Sequence, residues 1–135
     1  MAVQLSVAVR NARNDAIETV IGASAVLKVR TGAQPATCAA ADTGTVLATM
    51  NLPADWMAAS AAGVKALLGT WQDTVLDATG TAAHFRIYAT GGVTCGMQGS
   101  VTVTGGGGDL QFDSVSFVAG GTATITAFNI TDPNA

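Results

Sequence analysis

VTCGMQGSVTV, residues 93–103, carries the strictest alternation in the chain. Val93, Cys95, Met97, Val101 and Val103 take the odd positions, and Thr94, Gly96, Gln98, Ser100 and Thr102 the even ones. Successive side chains of a strand point to opposite faces, so this pattern predicts a strand with the odd residues inward and the even ones in water. A period of two here, with similar short runs on both sides, makes the domain a β structure.

Downstream the strand runs into VTGGGGDLQF, residues 103–112. A phosphate-binding loop needs GxxxxGK[ST] opening a helix, with the lysine on the phosphates. Here Asp109 follows the glycines and a second strand follows Asp109. The run therefore reads as a hairpin tip whose glycines supply positive φ. Such a tip faces solvent or a partner, which makes Gly105, Gly106, Gly107 and Gly108 candidate contact residues. On this reading, deleting two of them leaves the fold intact.

Beyond the tip, Leu110 and Phe112 are expected inward, then Val115 and Phe117. The parity flips at Asp113-Ser114, which marks a bulge or a change of sheet. TATITAFNI (122–130) closes the fold, with a second flip at Ala127-Phe128. Upstream, AVLKVRT (25–31), TVLATMNL (45–52), VKALLGTWQ (64–72) and AAHFRIYA (82–89) read as strands, with Leu27 and Val29 opposed to Lys28 and Arg30. Loops at 32–44, 53–63 and 73–81 separate them.

LSVAVRNARNDAIETVIG (5–22) has a different period. Val9, Ala12 or Arg13, Ala16, Ile17, Val20 and Ile21 recur at spacings of three and four, the stripe of an amphipathic helix. Ser6 suits the N-cap and Gly22 the position after the last turn. Arg10, Arg13, Asn14 and Glu18 are expected toward solvent or a partner. The helix either covers an edge of its own sheet or docks on a neighbouring subunit. The fold class is then mainly β: an antiparallel β-sandwich of about seven strands with one N-terminal α-helix. It forms a single domain over 1–135, with the helix at about 7–21 and the sandwich at about 25–131.

Composition narrows the function. Charged residues make up 11% of the 135 and hydrophobic ones 49%. Weakly charged surfaces tolerate packing against other subunits. Net charge is −3, and the six cations (Arg10, Arg13, Lys28, Arg30, Lys65, Arg86) are scattered, so nucleic acid is not an expected partner. No apolar run approaches the ~18–20 residues of a spanning helix, and the N-terminus lacks the basic and apolar regions of a secretory signal. Synthesis in a host cytoplasm is expected. Cys38 and Cys95, with a single histidine, do not make a zinc site, and reduced thiols are the expected state.

Catalytic and cofactor residues are not expected either. His84 lacks a nucleophile and orienting carboxylate at recognisable spacing, and reads as a strand residue with a satisfied ring nitrogen. Asp73 and Asp77 flank a loop and read as turn formers rather than calcium ligands or a glycosidase pair. Trp71 reads as core. Trp56 sits in a connector, as a plug over the core or an interface anchor.

Four stretches also carry a resemblance: LSVAVRNARNDAIETVIG, LKVRTGAQPATCAAADTGTVLATMNL, DATGTAAHFRIYATGGVTCGMQGSV and TITAFNIT, with RTG (30–32), ATGTA (78–82) and FRIY (85–88) the most specific parts. Over nearly the whole chain the sequence resembles small virion structural proteins of tailed bacteriophages and prophages, encoded among head and tail genes. The glycine run and the two cysteines depart from that pattern. The resemblance implies a non-enzymatic capsid decoration protein on the virion exterior. It would bind the major capsid protein or other virion proteins and self-associate, with a trimer as one form. Arg10, Arg13, Trp56 and the glycine tip are the candidate contacts. A tail or head–tail joining component, and a carbohydrate-binding module for host attachment, are the alternatives.

Overall fold

Ser6 opens α1 (Val7–Ile21) in the computed structural model of the protein, which describes residues 3–133. Its hydroxyl accepts from the Val9 N–H, and the Gly22 N–H closes the last turn on the Glu18 carbonyl. These local signals set both ends where the sequence places them.

The rest is β, in more and shorter pieces than expected: β1 (Val26–Arg30), β2 (Val46–Asn51), β3 (Val64–Ala66), β4 (Gln72–Asp73), β5 (Gly80–Thr81), β6 (His84–Tyr88), β7 (Cys95–Val103), β8 (Leu110–Phe112), β9 (Ser116–Phe117) and β10 (Ala123–Thr131). Eight of them form one sheet in the order β2-β1-β6-β7-β8-β10-β3, with β4 also on β10, while β5 and β9 pair separately. The parity flip at Asp113-Ser114 is where the chain leaves the large sheet for the small one. The flip near Ala127 coincides with a register shift between Ile125 and Ala127.

Inward residues of adjacent strands meet in one core: Leu27 and Val29, Ala48 and Met50, Phe85 and Ile87, Leu110 and Phe112 are all buried. Burying a Val, Leu, Ile, Phe or Met side chain contributes about 1.5–3 kcal/mol. Trp56, Trp71, Phe128 and Phe85 form a chain of tilted and edge-on rings, with centroids 5.9, 5.4 and 5.6 Å apart. The sheet curls so that its ends approach in a sandwich-like roll. The Asp73 carboxylate accepts from the Thr49 N–H of β2, the Asp77 carboxylate from the Thr49 hydroxyl, and the Asp77 N–H donates to Leu47 O. Both aspartates therefore bridge the two ends of the sheet.

The second faces of β1 and β6 are covered as well: Arg30 and Arg86 are buried. Two expectations are corrected. The single strand over 64–72 is broken into β3 and β4 by a detour that seats Trp71 in the core, 1% exposed. And the glycine run is not the tip of an antiparallel hairpin, because β7 and β8 pair in parallel, Val101 opposite Leu110 and Val103 opposite Phe112. Parallel neighbours ordinarily need a crossover of a dozen or more residues. Here residues 104–109 fold the chain back within the length of the strand itself, with Gly105 and Gly107 at φ +81° and +83°. That path is tied by side chains. Asp109 accepts from the Ser100 N–H and hydroxyl, Thr102 accepts from the Gly108 N–H, and Gln111 accepts from the Gly105 N–H.

Candidate functional site

The helix docks by its polar face. The connector 53–63 forms only isolated bridges, so its backbone groups must find partners elsewhere. Glu18 takes the N–H groups of Trp56 and Met57, at 2.9 and 3.0 Å. Asp15 takes the N–H and hydroxyl of Ser60. Asn11 and Asn14 bracket the Gly63 peptide, one accepting its N–H and the other donating to its carbonyl. Lys65 of β3 rises between the two acids, 2.9 Å from Asp15 Oδ1 and 3.0 Å from Glu18 Oε2. Arg10 and Arg13 bind the far end of the chain, at the Asp132 carbonyl and carboxylate respectively.

The electrostatics are mutually supporting. Hydrogen bonds from Ser60, then from Lys65, hold the Asp15 carboxyl at about 2. Burial alone would raise Glu18, but Lys65 and the two N–H groups outweigh it and keep it below the usual range. Burial likewise opposes the Lys65 charge, and the paired acids more than restore it.

With Asn11, Asn14, Asp15 and Glu18 facing the protein, the small apolar residues face out. Val7, Val9, Ala12 and Ala16 are exposed, and Val20 is 84% exposed. This reverses the face expected for Arg10, Asn14 and Glu18. Between the outward face of α1 and the start of β7 lies a groove of about 440 Å³. Ala16, Ile17 and Val20 line it from the helix, Ala89, Cys95 and Gly96 from the sheet, and Arg13 is its charged lining residue. Gly96 is required there, since a Cβ would stand 2.5 Å from Ile21. Val93, expected inward, is 84% exposed beside this groove-forming segment.

The loop Gly32–Gly44 lies as a strap over β1, β6 and β7, and reaches Cys95 at the border of the groove. Its key is Asp42, whose carboxylate pairs with Arg30 and Arg86 and accepts the Tyr88 hydroxyl. Burial would raise Asp42, but Tyr88 and the two guanidinium groups outweigh that and lower it. Arg86 also donates to the carbonyls of Thr37 and Ala40, and Gln98 to that of Pro35. A strand bulge between Ile87 and Tyr88 sets Cys95 opposite Tyr88, hence on the strap's side of β7 and against Cys38.

The remaining sequence candidates fall as follows. Trp56 is fully buried, with its indole N–H on the Gly22 carbonyl, so it is a plug and not a surface anchor. Trp71 and Tyr88 are buried too, which leaves no aromatic platform for a sugar ring. His84 is buried, its Nδ1 on the Gly32 carbonyl. Gly105–Gly108 are surface residues of the tied loop, apart from the helix groove. Among the described residues, no three His, Cys, Asp or Glu side chains gather as a metal site. Arg13 alone of the named contacts edges the groove. The apolar stripe by itself leaves open whether it covers the protein's own sheet or docks on a neighbour, so it does not fix the outward face. The unpaired backbone of 53–63, facing a helix rich in Asn, Asp and Glu, is the signal that could have found it. No family model, curated protein or solved structure matches the chain.

Proposed function

We propose that the protein is a non-enzymatic structural component of a tailed-phage virion, a capsid decoration protein that seats its outward helix face on the major capsid lattice. The observation that carries the reading is the inverted helix: its hydrogen-bonding side chains are spent internally and its apolar side is left uncovered. An apolar face of this kind suits a partner surface rather than a small polar substrate. A repeating lattice multiplies a modest contact by copy number, so a 15-residue helix is enough. The phage assignment itself rests on the sequence resemblance. Self-association, as a trimer, belongs to the same reading.

The test is location and copy number in purified virions. On the order of hundreds of copies, with antibody label over the head, supports decoration. A few to dozens, with label at the tail or neck, replaces it with the tail or head–tail joining role. Val20→Asp, at an exposed position, is expected to fold normally and to be lost from particles. Full retention of that variant on heads would refute the helix-face contact.

A further inference from the structure

We propose that Cys38 and Cys95 form an intramolecular disulfide in oxidising surroundings, a redox-controlled staple that locks the strap Gly32–Gly44 onto β7. Three observations converge. The two Sγ atoms lie 2.9 Å apart, with Cys95 donating to Cys38, so about 0.9 Å of movement closes the ~2.05 Å bond. The bulge between Ile87 and Tyr88 is what brings Cys95 to that side of the sheet; regular alternation would send it with Met97. And the strap bearing Cys38 is otherwise held by polar contacts to Arg30, Arg86, Tyr88 and Gln98, which water competes for.

The oxidant is a low-molecular-weight disulfide such as glutathione disulfide. One protein thiolate attacks it and releases one glutathione. The second protein thiol loses its proton, attacks the mixed disulfide and expels the other glutathione. Two protein thiols thereby lose two electrons and two protons, and one glutathione disulfide becomes two glutathiones. Burial, then the hydrogen bond to Cys38, pushes the Cys95 thiol up to about 12, which keeps it protonated in the reduced pair and slows its own attack at neutral pH. Both cysteines are only half-buried, so the reagent has access. A reducing cytoplasm keeps the pair open, and an oxidising exterior closes it.

The bond would close a loop between positions 57 residues apart. Constraining a chain over that span is expected to raise Tm by roughly 5–15 °C. The experiment treats the purified full-length protein with dithiothreitol or glutathione disulfide. It then reads intact mass, thiol alkylation, Tm, and hydrogen exchange across residues 32–44. The expected result is a monomer lighter by two hydrogens, with both thiols blocked, a raised Tm and slowed exchange in the strap. Cys38→Ser, on the strap side, should fold and show none of these oxidation-dependent changes. Thiols that stay free, stable glutathione adducts, or disulfide-linked dimers would each overturn the proposal. So would an internal bond that leaves exchange in the strap unchanged.

Discussion

Replacing Lys65 by Met tests whether the ion cluster, rather than apolar packing, holds the helix. The Lys65 side chain is 3% exposed and donates to Asp15, Glu18 and the Ala58 carbonyl. Removing one member of a buried pair typically costs 3–5 kcal/mol, because the surviving charge is left without compensation. Two features place this case at the lower end. Glu18 keeps the N–H groups of Trp56 and Met57, and Asp15 keeps Ser60 and is 45% exposed to water. Methionine also refills most of the volume. The expected loss is about 3 kcal/mol, or a fall in Tm of roughly 10–15 °C for a domain of this size.

Urea unfolding followed by tryptophan fluorescence and far-ultraviolet circular dichroism measures it, with an unchanged m value as the two-state check. The control is the neutral triple variant Asp15→Asn, Glu18→Gln, Lys65→Met. It carries no stranded charge and is expected to recover at least about 1 kcal/mol of the loss. A Lys65→Met protein within about 0.5 kcal/mol of the parent would refute the argument, as would a triple variant no better than the single one. Either result would mean that the packing of Ile17 and Ile21, with the Asn11, Asn14 and Arg10 hydrogen bonds, secures the helix without the ion cluster.

Three further outcomes follow from the same geometry. Asp42→Asn leaves Arg30 and Arg86, 7% and 2% exposed, without their shared counter-charge; it should cost about 3 kcal/mol and speed hydrogen exchange through the strap. Asp15, Glu18 and Asp42 all have carboxyl groups held below their usual values. Their stabilisation is therefore complete above the unfolded values near 4 and is lost as pH falls through the folded ones, for Asp15 between 3.8 and about 2. Chemical denaturation at pH 7, 4 and 2.5 should show that decline, and Asp15→Asn should flatten it. In the glycine loop, Gly108→Ala sets a Cβ 2.7 Å from Thr102 Cγ2 and 3.0 Å from the Thr102 nitrogen, for an expected loss of about 1–3 kcal/mol. Deleting two of these glycines should destabilise further, and a deletion that leaves Tm unchanged would return the loop to a free tip.

Local signals in the sequence were legible and long-range pairings were not. The helix ends could be read because Ser6 and Gly22 act within one turn of themselves. The change of sheet at Asp113-Ser114 could be read because a parity flip is a property of adjacent residues. The parallel β7–β8 pairing could not. Nothing in VTGGGGDLQF says that Asp109 will reach back to Ser100 and Gly108 to Thr102, turning the chain through the strand's own length. The same limit hid the outward helix face. Valine and alanine at helical spacing bury well only if the opposing surface is apolar, and here that surface is a loop backbone that needs acceptors and donors. The alternation over residues 93–103 likewise failed at both ends, since Val93 before β7 and Val103 at its end are exposed and the bulge turns Cys95 away from Met97.

The placement of charge argues that the bare helix face is specified rather than left over. Of six cations, Arg30, Lys65 and Arg86 are buried in ion pairs, and Arg10 and Arg13 bind Asp132. A chain with so few charges thus places most of its cations in contacts that fix one element against another. Hydrogen bonds are directional where apolar contacts are not. Asn11, Asn14, Asp15 and Glu18 each meet a particular backbone group of residues 56–63, so a rotation of α1 about its axis would break several of them at once. Apolar docking of the same helix would tolerate such a rotation. The polar clamp therefore holds Val9, Ala16 and Val20 outward at a definite angle, the condition a surface must meet before it can select a partner by shape.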